Sequence, residues 1–261
     1  MEYIVIPLVA LVVSSLTLFS GFGLGTVLMP AFALFFPIPV AIAATAVVHL
    51  ANNIFKVALT GRHADWGVVI RFAITAALAA IGGAWLLGQL ATIPSVISYR
   101  IGERVFEVTL VKLVIGLLII GFAMFDLIPK LQKLAFDRKY LPLGGILSGF
   151  FGGLSGNQGA MRSAFLVKSG LDAKSFVGTN GVCAFLVDLV RLLVYGAAFY
   201  TTSLTQVSGG VWRLVLLGIF FAFVGSFVGA RLMKKVTLHS VQYIVGVMLV
   251  VVGVGLATGL L

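Results

Sequence analysis

From Trp66 to Leu90 the chain reads WGVVIRFAITAALAAIGGAWLLGQL, and Arg71 is the single charge in it. A helix needs roughly 20 apolar residues to cross a bilayer, whereas a barrel strand must alternate apolar and polar positions. This stretch does not alternate, so it reads as a membrane-spanning helix. Comparable runs fall at 39–60, 106–128, 173–199, 209–232 and 240–261. With 61% hydrophobic and 10% charged residues, the chain lies far outside the range of a soluble domain, which holds about 25% charged residues. The expectation is an all-α integral membrane protein. The opening MEYIVIPLVALVV has an acid and no base ahead of its apolar run, so it reads as a first membrane segment (4–20) and not as a cleaved signal peptide.

Three apolar runs, 26–36, 141–154 and 158–168, are too short to cross alone. Each adjoins a glycine-rich break, SGFGLGT at 20–26 or SGFFGGLSGNQG at 148–159. Folding 4–36 and 141–168 as hairpins that enter and leave on one side gives a test through charge, because cytoplasmic loops are enriched in Lys and Arg. Thirteen basic residues, Lys56 and Arg162 among them, then share one side, against Arg100, Arg104, Lys112 and Arg213 on the other. If each pair crossed once, the split would be nearly even. The hairpin arrangement puts both termini outside.

The halves also resemble each other. GFGLGTVLMPAF at 21–32 matches GGLSGNQGAMRSAF at 152–165, and VKLVIGLLIIG at 111–121 matches VQYIVGVMLVVVG at 241–253. Each half is a Gly-broken helical hairpin plus three transmembrane helices, so the two insert in opposite orientations. The expected organisation is a first repeat over 1–129, a basic cytoplasmic linker at 130–140 and a second repeat over 141–261. Inverted repeats with broken helices are the signature of secondary transporters.

Polar side chains at membrane depth are costly and point to function. At each break the second short helix turns its N-terminus inward, presenting unpaired N–H groups and the positive end of a dipole. Gly25 with Thr26, and Ser155, Gly156, Asn157 with Gln158, would hold an anion there. Packing is the alternative reading of the GxxxG spacings Gly21/Gly25, Gly149/Gly153 and Gly225/Gly229, and it is the preferred one for the last pair. In the helix after the first break, His49, Asn52, Asn53 and Lys56 share a face. Adjacent amides such as Asn52 and Asn53 can donate to oxyanions. In the helix after the second break, Asn180, Asp188 and Arg191 share a face, and Asp188 and Arg191 are spaced to pair. His49 is either a proton carrier or a neutral helix-to-helix hydrogen-bonding residue. Asp188 with Arg191 is either a structural ion pair or a coupling element. Arg162 either snorkels to the cytoplasmic face or attracts anions at the inner entrance.

No metalloprotease, Walker A or nucleophile-elbow motif occurs, and Gly153, Gly156 and Gly159 follow no strand and form no dinucleotide loop. The single Cys183 excludes an internal disulfide and a multi-cysteine metal site. No enzyme activity, no metal and no cofactor is expected. The net charge of +10 is assigned to cytoplasmic loops and not to nucleic-acid binding. The residues alone imply a transporter for a small anion, with protons as the candidate coupling ion. The alternative is a membrane anchor or assembly partner for another protein that moves nothing.

SGFGLGTVLMPAFALFFPIPVAIAATAVVHLANN with GRHADW, and SGFFGGLSGNQGAMRSAFLVKSGLDAKSFVGTNGV, resemble the TauE/SafE sulfite exporter family, also known as toluene-sulfonate uptake permeases. The likeness extends over nearly the whole chain as two repeats. The second break departs from the pattern, with Asn157, Gln158 and Arg162 where the first half has Thr26 and Leu28 to Pro30. The resemblance implies transport of sulfite or an organosulfonate across a bacterial inner membrane by alternating access.

Overall fold

The computed structural model describes residues 1–17, 23–200, 209–232 and 238–261. Gly21, and with it the Gly21/Gly25 spacing, lies outside them. The chain is built from α1 (Glu2–Thr17), α2 (Leu24–Ala33), α3 (Ile38–Thr60), α4 (Trp66–Thr92), strands β1 (Ser95–Ile101) and β2 (Arg104–Thr109), α5 (Leu110–Leu127), α6 (Pro129–Gln132), α7 (Leu141–Ser155), α8 (Gly159–Leu166), α9 (Ala173–Tyr200), α10 (Gly209–Leu232) and α11 (Leu238–Ala257). Among the described residues, Ile38–His63, Trp66–Thr92, Ala173–Ala197 and Gly210–Gly229 are long and apolar enough to cross a membrane.

α4 shows why these helices belong in lipid. Ile70, Ile74, Leu78, Ile81 and Trp85 recur every three or four residues and all stand exposed. In water that face would be polar; here it is the lipid face. The opposite face is built from small residues, with Ala73, Ala76, Ala80 and Ala84 buried. Against it lies α7, whose Gly145, Gly149 and Gly153 meet the α4 backbone so closely that an added Cβ would overlap the Phe72, Ala76 and Ala80 carbonyls. Close backbone approach through small residues is how helices associate without a hydrophobic driving force. The Gly149/Gly153 spacing is therefore a packing seam, and so is Gly225/Gly229, which meets Leu11, Ser14 and Ser15 of α1.

Several of the element pairs correspond between the halves. α1 packs on α10 and α7 on α4; α3 packs on α10 and α9 on α4; α2 lies on α3 and α8 on α9; α3 meets α9, and α5 meets α11. Exchanging the halves maps this set onto itself.

Two expectations require correction. The chain is mainly helical but carries an antiparallel hairpin between α4 and α5, with Ile101 opposite Arg104 and Gly102 at a φ of +60° in the turn. The stretch VISYRIGERVFEV alternates apolar and polar residues, which suits a strand and not a helix. For the same reason α5 starts at Leu110, later than the apolar run at 106, with the Thr109 hydroxyl capping it by accepting from the Lys112 N–H at 3.3 Å. The second correction concerns Lys56 and Arg162. Both are buried, at 9% and 1% exposure, so two of the thirteen charges counted on one side of the membrane lie inside the protein.

Candidate functional site

The site begins with two interrupted helices. Before α2, Gly23 takes a φ of +120°, a conformation open to glycine, and no side chain caps the helix start. After α7, Gly156 takes a φ of +81° in the left-handed region, and the chain restarts at Gln158 as α8, again with no side-chain cap. Both restarts are buried. The breaks meet: a Cβ placed on Gly25 would lie 3.5 Å from the Gly156 carbonyl oxygen and 3.5 Å from His49 Cδ2. Two sets of first-turn N–H groups, from opposite halves of the sequence, thus start close to one point.

Beside this junction lies one carboxylate with five nitrogens around it. Asp188 is fully buried. Its Oδ2 accepts from His49 Nδ1 at 2.6 Å and from Asn53 Nδ2 at 2.7 Å. Its Oδ1 accepts from Gln158 Nε2 at 2.9 Å and from Arg191 Nε at 3.1 Å, and Arg191 Nη2 lies 2.9 Å away as an ion pair. A carboxylate offers about four lone-pair sites, so this one is saturated. The network ties α3 in the first half to α8 and α9 in the second.

Gln158 carries the network onward. Its Oε1 accepts from Arg162 Nη1 at 2.8 Å, and Arg162 Nε donates to Asn180 Oδ1 at 2.5 Å. Arg162 therefore turns inward instead of snorkelling, and Asn180 serves to hold it. The Gln158 backbone carbonyl accepts from the Ser148 hydroxyl at 3.0 Å. Arg191 Nη1 donates to the Gly152 carbonyl at 3.2 Å, and the Tyr195 hydroxyl donates to the Gly153 carbonyl. The Tyr195 bond occupies a carbonyl in the last turn of α7 that the helix end leaves without an intrahelical donor, and the Arg191 bond adds to the one the Gly152 carbonyl accepts from the Gly156 N–H at 3.0 Å.

The remaining expected residues divide. Asn157 is 3% exposed, and among the described residues neither its Oδ1 nor its Nδ2 has a partner. Asn52 accepts from the Ser226 hydroxyl of α10 at 2.8 Å, away from Asp188, and its Nδ2 is without a partner among the described residues. Ser155 shapes the break: its hydroxyl donates to the Phe151 carbonyl at 3.0 Å and accepts from the Asn157 N–H at 3.4 Å. Thr26 is half-buried and makes no side-chain hydrogen bond among the described residues.

Four participants escaped the sequence reading. Tyr195 follows Arg191 by four residues and Asp188 by seven, a helical spacing that could have found it. Thr45 precedes His49 by four; it is 1% exposed with its hydroxyl unpartnered among the described residues. Ser148 precedes Ser155 by seven, a helical spacing as well, and Ser226 has no such signal.

The charge inside is lopsided. Lys56, Arg162 and Arg191 are buried, whereas Asp188 is the single buried carboxylate among the residues whose exposure is described. A buried cation excess beside amide donors and helix N-termini favours a negatively charged guest.

A family model described as Sulfite exporter TauE/SafE matches residues 6–256. No curated protein and no solved structure gives a match.

Proposed function

Since the chain belongs to the TauE/SafE sulfite exporter family, we propose that it is a secondary transporter moving a small oxyanion, sulfite or an organosulfonate, through the junction of its two breaks. The observation that carries this reading is the combination at that junction. Two uncapped, buried helix starts converge, the Asn157 amide lies beside them unsatisfied, and buried cations outnumber the saturated Asp188. A buried polar group without a partner costs free energy, and an arriving oxyanion would relieve that cost. Asp188 has no lone pair left for a metal ion or an organic cation, which argues against a cation carrier.

We further propose alternating access between two inverted repeats, 1–129 and 141–261, joined by the linker at 130–140. The helix pairs that exchange when the halves are swapped support this arrangement. The linker is docked: Phe136 stacks on Phe165 at 4.3 Å between ring centres, and its N–H donates to the Ala164 carbonyl at 3.1 Å. The proposed location is a bacterial inner membrane with both termini outside and protons as the coupling ion.

Flux in proteoliposomes with sulfite, sulfate and short alkanesulfonates tests the reading. Saturable flux of at least one oxyanion that falls about ten-fold in Asn157→Ala is the expected result, the scale of one lost charge-assisted hydrogen bond. Folded protein that carries none of them would return the chain to the anchor reading, and an Asn157→Ala variant with wild-type flux would overturn the placement of the anion at the second break.

A further inference from the structure

His49 stands between the carboxylate and the breaks, with its two ring nitrogens in different surroundings. Nδ1 lies 2.6 Å from Asp188 Oδ2, so Nδ1 carries hydrogen and donates. That fixes the tautomer and leaves the lone pair on Nε2. The Cδ2–Cγ edge of the ring packs against Gly25, which itself abuts the Gly156 carbonyl. One nitrogen is spent on the buried carboxylate; the other has no hydrogen-bond partner among the described residues. Accessibility separates the partners further. The side chains of Asp188 and Arg191 are 0% exposed, and that of His49 keeps 8%. Of the three side chains His49 alone keeps any exposed surface, and Asp188 cannot accept a proton without giving up one of its five nitrogen contacts.

We propose that His49 Nε2 binds one proton together with the transported anion, so that proton and anion cross in the same direction. The inference rests on the oxyanion reading above. The imidazolium would add a positive charge and an N–H donor beside the helix starts, raising anion affinity. By thermodynamic reciprocity the bound anion raises proton affinity at Nε2 by the same factor. The charged and titratable neighbours define the balance. On α3 these are Asn53, bonded to the same carboxylate, and Lys56, which opposes the imidazolium. On α9, Asp188 favours it and Arg191 opposes it, and Cys183 and Tyr195 are neutral. Arg162 acts from α8 through Gln158. α2 and α7 contain no titratable side chain. On α10, Gly218 meets Val48, and the nearest ionisable residue in sequence, Arg213, lies more than one helical turn before it. With cations in excess around it, the ring holds its proton firmly once an anion is present, and loses it when the anion leaves.

The test is labelled sulfite flux into proteoliposomes, measured at equal pH and with an imposed pH gradient, for wild type and His49→Gln. The readout is the ratio of gradient-driven to equal-pH flux, so a slower variant remains interpretable. Sulfite itself titrates, but its speciation is the same for both proteins. Wild type should respond to the gradient, and the ratio should fall toward one in His49→Gln, about a ten-fold loss, within the usual coupling range. His63→Gln, outside the network, should keep the wild-type ratio. A His49→Gln variant that retains the wild-type ratio would overturn the proposal. Absence of saturable sulfite flux in wild type would instead strike the transport reading. Should His49→Gln fail to fold, nitrogen-15 spectra decide. With His63→Gln and His239→Gln leaving His49 alone, added sulfite at fixed pH should move the ring nitrogens toward the imidazolium position. Unmoved signals in protein that carries sulfite would overturn the proposal.

Discussion

The two breaks, one in each half of the sequence, are made of different material. The first is backbone: Gly23 bends it, Gly25 brings it against the Gly156 carbonyl, and the helix that follows, LGTVLMPAFA, contains no charge. The second is side chain. Asn157, Gln158 and Arg162 follow one another within six residues, and Gln158 links the Asp188 and Arg162 ends of the network. A glycine break suffices to aim helix N–H groups, so the same fold element can be held with or without polar side chains. What the second half adds is a fixed charge arrangement, and it borrows His49 and Asn53 from the first half to complete it.

The largest effect should come from the charge arrangement. Asp188→Ala leaves Arg191 buried without its carboxylate and removes the acceptor of three other nitrogens, on His49, Asn53 and Gln158. Removing one partner of a buried ion pair costs about 3–5 kcal/mol. Thermal unfolding in detergent should show that loss, together with abolished flux. Thr26→Ala at the first break, by contrast, should leave the unfolding midpoint unchanged. An Asp188→Ala protein as stable as wild type would mean that the five nitrogens do not depend on the carboxylate, and the contrast between breaks would dissolve.

A middle-sized effect separates the glycines. Gly156 sits at a φ of +81°, and a Cβ there would lie 3.0 Å from Arg191 Nη1. The left-handed conformation costs a non-glycine residue roughly 1–2 kcal/mol, so Gly156→Ala should lower stability by about that amount. At Gly25 an added Cβ makes only ordinary contacts at 3.5 Å, so Gly25→Ala should unfold like wild type. Chemical denaturation of both variants checks the pair. Equal destabilisation would show that Gly25 is as constrained as Gly156, contrary to its ordinary contacts.

The helices could be read from sequence because apolar length alone specifies a span. The run at 173–199 is α9, Ala173–Tyr200, and the short pieces around SGNQG are α7 and α8. The hairpin of β1 and β2 was equally legible in its alternation, and it was passed over because all the surrounding signals were helical. Within the site, the Asp188–Arg191 pair follows from a spacing of three. The bond from His49 to Asp188 spans 139 positions, and no periodicity within a helix can predict it. Arg162 shows the limit most clearly. Its position fits either a snorkelling or an inward rotamer, and the choice is made by Gln158 and Asn180, whose own placement is tertiary.

The smallest effect on stability is the sharpest discriminator. Asn53 and Asn157 are both buried amides, at 2% and 3% exposure. Asn53 donates to Asp188 at 2.7 Å, so Asn53→Ala deprives a buried carboxylate of a donor and should cost about 1–3 kcal/mol. Neither polar atom of the Asn157 side chain has a partner among the described residues, so Asn157→Ala removes no hydrogen bond and relieves a desolvation cost. Its unfolding midpoint in the absence of anion should equal or exceed that of wild type. Added sulfite should raise the wild-type midpoint by mass action and raise the Asn157→Ala midpoint less. A residue kept for structure would behave in the opposite way, losing stability without ligand and responding to sulfite like wild type. The pair of melts, with and without sulfite, therefore tells whether the polar side chains of the second break complete the fold or await a guest.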